Sequence, residues 1–228
     1  MQRAFSRPGL PVPEVLEAAE DGALAFCISR RAPGRPVNDL DPAGASGTAP
    51  AVTAVLAAVA ASDLAGTGGF GCFDGTGAAP HASWRGFLLS IAGRDWAPVR
   101  RRVDPALLDG LLATVAVLAP RCPEARALVH GDSGGSNVLG DGRLVTAVID
   151  WDLALFGDPL YDRANIAFWD EERLRPSAAL APRHLPAFGE RMRCYMARIG
   201  LEEIHASATG RFPDSLDWLV PRCAALVP

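Results

Sequence analysis

One stretch, HGDSGGSNVLGDGRLVTAVIDW (His130–Trp151), constrains this chain more than any other. Two apolar segments, NVL and LVTAVIDW, flank the turn GDG, a pattern that predicts a β-hairpin. Asn137 follows Asp132 by five residues and Asp150 follows Asn137 by thirteen, with the hairpin between the last two. A hairpin returns the chain to where it started. The spacing therefore predicts three oxygen-bearing side chains at the ends of adjacent strands, facing one cleft. Such a set suits magnesium and a phosphoryl donor.

The letters GDSGG also surround the nucleophilic serine of trypsin-like proteases, which would give the chemistry to Ser133. That reading needs a histidine base and an aspartate to orient it. Apart from His130, the only upstream histidine is His81, in PHASW, a predicted helix start. The chain before the motif reads as largely helical, and Ser136 stands where those proteases usually carry proline. Asp132 is the candidate base, and Ser133 a loop residue.

Composition narrows the classes. With 49% apolar residues in 228, the chain is globular, and its formal net charge of −4 is not that of a nucleic-acid binder. All 22 basic residues are arginine, so no lysine takes part in any chemistry here. The five cysteines (Cys27, Cys72, Cys122, Cys194, Cys223) form no CxxC and suggest reduced, mostly packed thiols rather than a disulfide framework or a zinc site. The first residues lack the apolar core of a signal peptide, and no apolar run is expected to reach the length of a membrane span. A cytoplasmic location follows as the default expectation.

Along the chain, ALAFCIS (Ala23–Ser29) reads as a buried strand, broken by RRAPGRP. DLDPAGASGTAP reads as a loop and Ala51–Leu64 as a helix. Gly66–Pro80 is a glycine-rich loop without the GxxxxGK[ST] pattern of a phosphate cradle. HASWRGFLLSIA starts another helix. Asp104–Leu118 is an amphipathic helix with Leu107, Leu108, Leu111, Leu112, Val115 and Leu118 on one face. Helices are predicted to dominate from Pro159 onward.

HGDSGGSN together with VIDWDLALFGDPLYDRA resembles the aminoglycoside phosphotransferase family, with its HGDxxxxN loop, metal aspartate and following GDPxxD. Further segments, among them PVPEVL…FCISRRAPG, GGFG…SWRGFL and YMARIGLEEIHASATGRF, resemble the hygromycin B branch of that family over nearly the whole chain. The resemblance implies an α+β, protein-kinase-like fold. It divides the chain into residues 1–30, a remnant of the N-terminal nucleotide-binding β-lobe and hinge, and residues 31–228, the helical C-terminal catalytic and substrate lobe. It implies ATP and Mg2+ as cofactors and an aminoglycoside as the small-molecule partner, with no nucleic acid and no membrane.

It also implies roles. Asp132 is the base for a substrate hydroxyl, and Asn137 and Asp150 hold the metal. His130 supports the loop, and Asp158 braces it through its backbone amides, while Asp162 is left open as a helix-start carboxylate. The main chain of Ser29 and Arg31 receives the nucleotide base. Asp152, Asn165, Trp169, Asp170 and Glu202 line the acceptor site, where carboxylates pair with ammonium groups and an aromatic face stacks on a sugar.

Relatives carry a hairpin over the phosphates, a strand with a cationic residue and a helix with its glutamate partner, none of which is in this sequence. Only PVPEVL and ALAFCIS are expected to remain of that lobe, leaving an exposed sheet edge and apolar surface. Two other readings stand beside the transferase: a truncated, non-catalytic remnant of the family, and a kinase of the same fold for another small alcohol.

Overall fold

A computed structural model describes residues 10–21, 24–169, 184–210 and 215–227. β1 (Val15–Asp21) and β2 (Leu24–Ser29) pair as an antiparallel hairpin. The remaining strands build two small antiparallel sheets. In one, β6 (Val138–Gly140) lies between β3 (Arg35–Pro36) and β7 (Val145–Val148). In the other, β8 (Leu155–Gly157) lies between β4 (Gly71–Cys72) and β5 (Ala127–Val129). The chain leaves the second sheet at β5, forms the predicted β6–β7 hairpin in the first and returns at β8. Its two crossings, 130–137 and 149–154, run side by side, and the candidate site lies on them.

The helices are α1 (Pro42–Ala60), α2 (Trp84–Leu89), α3 (Ala97–Arg100), α4 (Pro105–Leu118), α5 (Leu160–Trp169), α6 (Phe188–Ala208) and α7 (Leu216–Ala224). α4 keeps the predicted face: Leu108, Leu111 and Val115 are buried, and Asp104 caps its start by accepting the Ala106 N–H. α6 packs along α4 and α5 and carries the largest core, with Cys194, Tyr195, Ala197, Leu201 and Ile204 buried against Trp84, Leu88 and Phe168. Two smaller cores fill the space between α1 and the sheets, around Val52, Leu56 and Val138, and around Val59, Leu128 and Phe156.

Three expectations change. The stretch read as a loop, DLDPAGASGTAP, is the first half of α1. Asp41 caps it by accepting the Gly44 N–H at 2.7 Å, and Pro42 opens it. Its glycines are there for packing: a Cβ on Gly47 would meet Gly142 O at 2.5 Å, in the β6–β7 turn. The resulting 19-residue helix is long and apolar enough to cross a membrane, against the expectation of no such run. Here its Ala45, Ala49, Val52, Leu56 and Val59 are buried in the cores of this fold. Leu24–Ser29 of ALAFCIS does form a strand, but it is not buried: Phe26 and Ile28 on β2 and Leu16 on β1 are each 43–50% exposed. The cysteines divide, with Cys122, Cys194 and Cys223 buried and Cys27 and Cys72 exposed, all as free thiols.

Candidate active site

The loop from His130 to Asn137 is fixed from below by a single carboxylate. Asp162, in the first turn of α5 and 2% exposed, accepts the His130 N–H on Oδ2 at 3.0 Å and the Gly131 N–H on Oδ1 at 2.9 Å. Its backbone oxygen also takes the Ser133 hydroxyl at 3.2 Å, so Ser133 is buried and committed to the scaffold. Asn165, one turn further along α5, donates to Gly131 O at 3.2 Å. Gly131 adopts φ +84°, and a Cβ there would strike Leu153 O at 2.1 Å. Only glycine lets the two crossings lie this close.

His130 ties the crossings together. Its Nδ1 accepts the Asp132 N–H at 3.2 Å, which leaves the proton on Nε2 to donate to Ile149 O at 3.0 Å. Both ring nitrogens are occupied, and the ring lies against Trp151. Asp158, assigned above to bracing the loop, does not touch it. It lies 3% exposed on the far side of the α5 start, where Oδ2 accepts Arg191 Nη2 at 2.6 Å and the Tyr195 hydroxyl, while Oδ1 takes the Leu160 N–H. The brace is Asp162, four residues later in GDPxxD. Asp158 instead locks α6 to α5.

Asp132 is half-buried at the cleft floor. The Asn137 amide donates to its Oδ2 at 2.8 Å and to its backbone oxygen at 3.0 Å, while no described residue bonds its Oδ1. Burial pushes its pKa above the ordinary carboxylate range, and the charge of Asp150 adds to that rise. Asp150 opens the crossing after β7 at φ +60°, a left-handed backbone that aspartate tolerates better than most residues, with its side chain exposed to the cleft. No cluster of three or more His, Cys, Asp or Glu able to hold a metal exists among the described residues. Asn137 Oδ1 and the Asp150 carboxylate are two oxygens that could hold a magnesium ion, its other ligands coming from phosphates and water.

The cleft, of about 410 Å³, brings together most of the remaining candidates: Asp132, Asp150, Asn165, Trp169 and Glu202 all line it. Asp152 is exposed and lies outside that lining. Asp170 falls outside the described residues. Ser29 and Arg31 sit at the exit of β2, outside that lining, beside an Arg30–Glu14 ion pair of 2.7 Å. Glu203, Tyr161 and Ser215 line the cleft and were not singled out from sequence. Glu203 had a signal: it adjoins Glu202 on a predicted helix. Trp169 also has an unforeseen partner. Trp218 of α7 stacks on it at 5.3 Å and 11°, and Arg222 lies 4.3 Å over the Trp218 ring.

The profile of the phosphotransferase enzyme family known as APH matches residues 1–194. This chain belongs to that family. Among curated relatives of this phosphotransferase is hygromycin-B 4-O-kinase of Escherichia coli, 38% identical over 99% of the chain and 68% of the kinase. Among solved structures, a thermostable mutant of aminoglycoside phosphotransferase APH(4)-Ia, in ternary complex with AMP-PNP and hygromycin B, matches at TM-score 0.87. It is 39% identical over 98% of this chain and 79% of that one. Another mutant of the same enzyme, holding ADP and hygromycin B, matches at TM-score 0.87 and 38% identity, over 98% of this chain and 79% of its own. The fold is therefore the kinase-like fold that the motif implied. A more distant relative, an aminoglycoside-3'-phosphotransferase of type VIII, shares the fold at TM-score 0.53 and 23% identity, over 86% of this chain and 74% of its own.

Proposed function

We propose that this chain transfers the γ-phosphate of ATP to a hydroxyl of a hygromycin B-like aminoglycoside, in the cytoplasm. The observation that carries this reading is the Asp132 carboxylate: one oxygen held by Asn137, the other directed to no described protein donor, at the floor of a cleft lined by Glu202, Glu203 and Trp169. Asp132 Oδ1 accepts the proton of the acceptor hydroxyl and aims that oxygen at the phosphorus. Phosphoryl transfer demands positioning above all, so the fixed orientation of Asp132 matters more than its basicity. Asn137 and Asp150 would hold Mg2+, which neutralises charge on the phosphates when bound. Glu202 and Glu203 would pair with ammonium groups, and Trp169, backed by Trp218, offers its open side to a ring. Residues 1–30 serve as part of the nucleotide lobe, with the main chain at Ser29 and Arg31 as the hinge.

The test is hygromycin B-dependent ADP release, with Asp132→Asn as the control. Release by the parent and a fall on the order of 10²-fold or more in the variant support the reading. Equal rates in both would end it. The exposed Leu16, Phe26 and Ile28 favour a second reading, a non-catalytic family member that binds the sugar without turnover. Binding without any Asp132-dependent ADP release selects that one. Release with a different alcohol in an acceptor panel, and none with hygromycin B, would assign another substrate.

A further inference from the structure

Glu202 receives a guanidinium from each of two directions. Arg198, one turn earlier on α6, comes from the interior. Its side chain is 3% exposed, its guanidinium lies 4.1 Å over the Phe87 ring, and Nη1 sits 2.9 Å from Glu202 Oε1 as an ion pair. Arg94 comes from the solvent side. Its side chain is 41% exposed, and Nη2 donates to the same Oε1 at 2.9 Å. Two cations therefore converge on one oxygen at the wall of the cleft.

The two arginines differ in how firmly they are held. Arg198 is almost fully buried on an aromatic face inside the longest described helix. Arg94 lies in the short link between the turn Ser90–Gly93 and α3, and Glu202 is its ion-pair partner. Water and salt screen such an exposed pair, so another cation can replace it readily. A guanidinium fixed on this wall would also repel a polycationic acceptor, because like charges across an interface select against binding.

The geometry points to Arg94 as a displaceable counter-ion. It occupies on Glu202 the position that one ammonium group of the acceptor takes on binding, and so sets the affinity for cationic acceptors. Arg198 stays behind to hold the carboxylate in place. This inference rests on the aminoglycoside reading given above.

Calorimetric titration of hygromycin B into the parent, Arg94→Lys, Arg94→Gln and Arg94→Gln/Glu202→Gln proteins tests it, alongside Glu202→Gln alone. Arg94→Gln is expected to tighten Kd by about 2- to 5-fold, the worth of one exposed ion pair. Arg94→Lys, which keeps the competing charge, stays at the parent value. The gain from Arg94→Gln vanishes when Glu202 is already Gln, and in turnover it falls on KM rather than kcat. Unchanged or weaker binding by Arg94→Gln overturns the inference. So does tightening by Arg94→Lys, or a gain that persists without the Glu202 carboxylate, which would be a general charge effect. Glu202→Gln leaves Arg198 buried without its carboxylate. If that protein does not fold, the Lys-against-Gln comparison at position 94 decides alone. Failure of all the proteins to bind hygromycin B overturns the acceptor reading and this inference with it. Binding without ADP release overturns the transfer reading only and leaves Arg94 to be judged on Kd.

Discussion

Asp162 grips Gly131: a buried carboxylate at the start of α5 takes that glycine's N–H at 2.9 Å, with the neighbouring amide of His130 on its other oxygen. The loop that carries Asp132 is thus hung from a helix rather than from its own strands. Asp162→Asn places an amide N–H against one of two backbone donors. The loop shifts, and a misplacement of about 1 Å costs on the order of 10²-fold in rate. We expect kcat/KM to fall by that order and stability by about 1–3 kcal/mol. Steady-state kinetics and chemical denaturation read the two effects separately, and parent-like kinetics would contradict the assignment.

The second buried carboxylate has a different duty. Asp158 and Arg191 form an ion pair with side chains 3% and 7% exposed. Arg191→Ala leaves Asp158 buried without its cation, which typically costs about 3–5 kcal/mol. The Arg121–Glu190 pair, at 58% and 41% exposure, is the internal comparison, and Arg121→Ala should cost less than about 1 kcal/mol. Thermal melts of the two variants should differ by roughly 5–15 °C for a chain of this size. Similar melting temperatures would refute the locking role of Asp158.

Asp132 should weaken the fold it serves. Burial raises its pKa in the folded state, so its favourable contribution is present only below the unfolded value, about 4, and is lost as pH rises through the folded value. At neutral pH the ionised carboxylate is therefore a net burden. Asp132→Asn, free of metal and nucleotide, should be more stable than the parent at pH 7, by roughly 0.5–2 kcal/mol. The gain should shrink as pH falls through the carboxylate range. Urea denaturation at several pH values gives the answer, and a gain that grows toward acid would reverse the sign.

Two helical glycines should respond in opposite directions to alanine. A methyl added to Gly189 on α6 would meet nothing within 4 Å, so Gly189→Ala should stabilise by about 0.4–1 kcal/mol. A methyl on Gly47 would strike Gly142 O at 2.5 Å, a backbone atom that cannot swing aside. Gly47→Ala should destabilise by about 1–3 kcal/mol despite the better helix propensity. Melting temperatures that move in the same direction for both would show that propensity, not packing, governs α1.

What the sequence made legible was what lies close along the chain. Asp132, Asn137 and Asp150 could be read together because the hairpin between Asn137 and Asp150 is encoded locally, by its turn and its alternation. Asp158 and Asp162 could not be told apart in that way. They stand four residues apart at the same helix start, and only the tertiary position of α6, with Arg191 and Tyr195, decides which carboxylate faces the loop. The beginning of α1 was hidden for a related reason. Glycines that permit close packing against the β6–β7 turn look the same, in a sequence, as glycines that loosen a loop. Trp218 stacks on Trp169 across 49 residues of chain, and no local pattern could announce that.

α5 carries Asp162 and Asn165 under the loop and Trp169 at the cleft wall, all within 8 residues and on one side of the helix. On the proposed reading, chemistry and acceptor recognition thus share one rigid lever. A change that tilts α5 to admit a larger sugar also moves the base. Diversification of the antibiotics accepted should therefore accumulate outside α5, at Glu203 on α6 and at Ser215 just before α7, and α5 should be the part of the wall that directed evolution leaves alone.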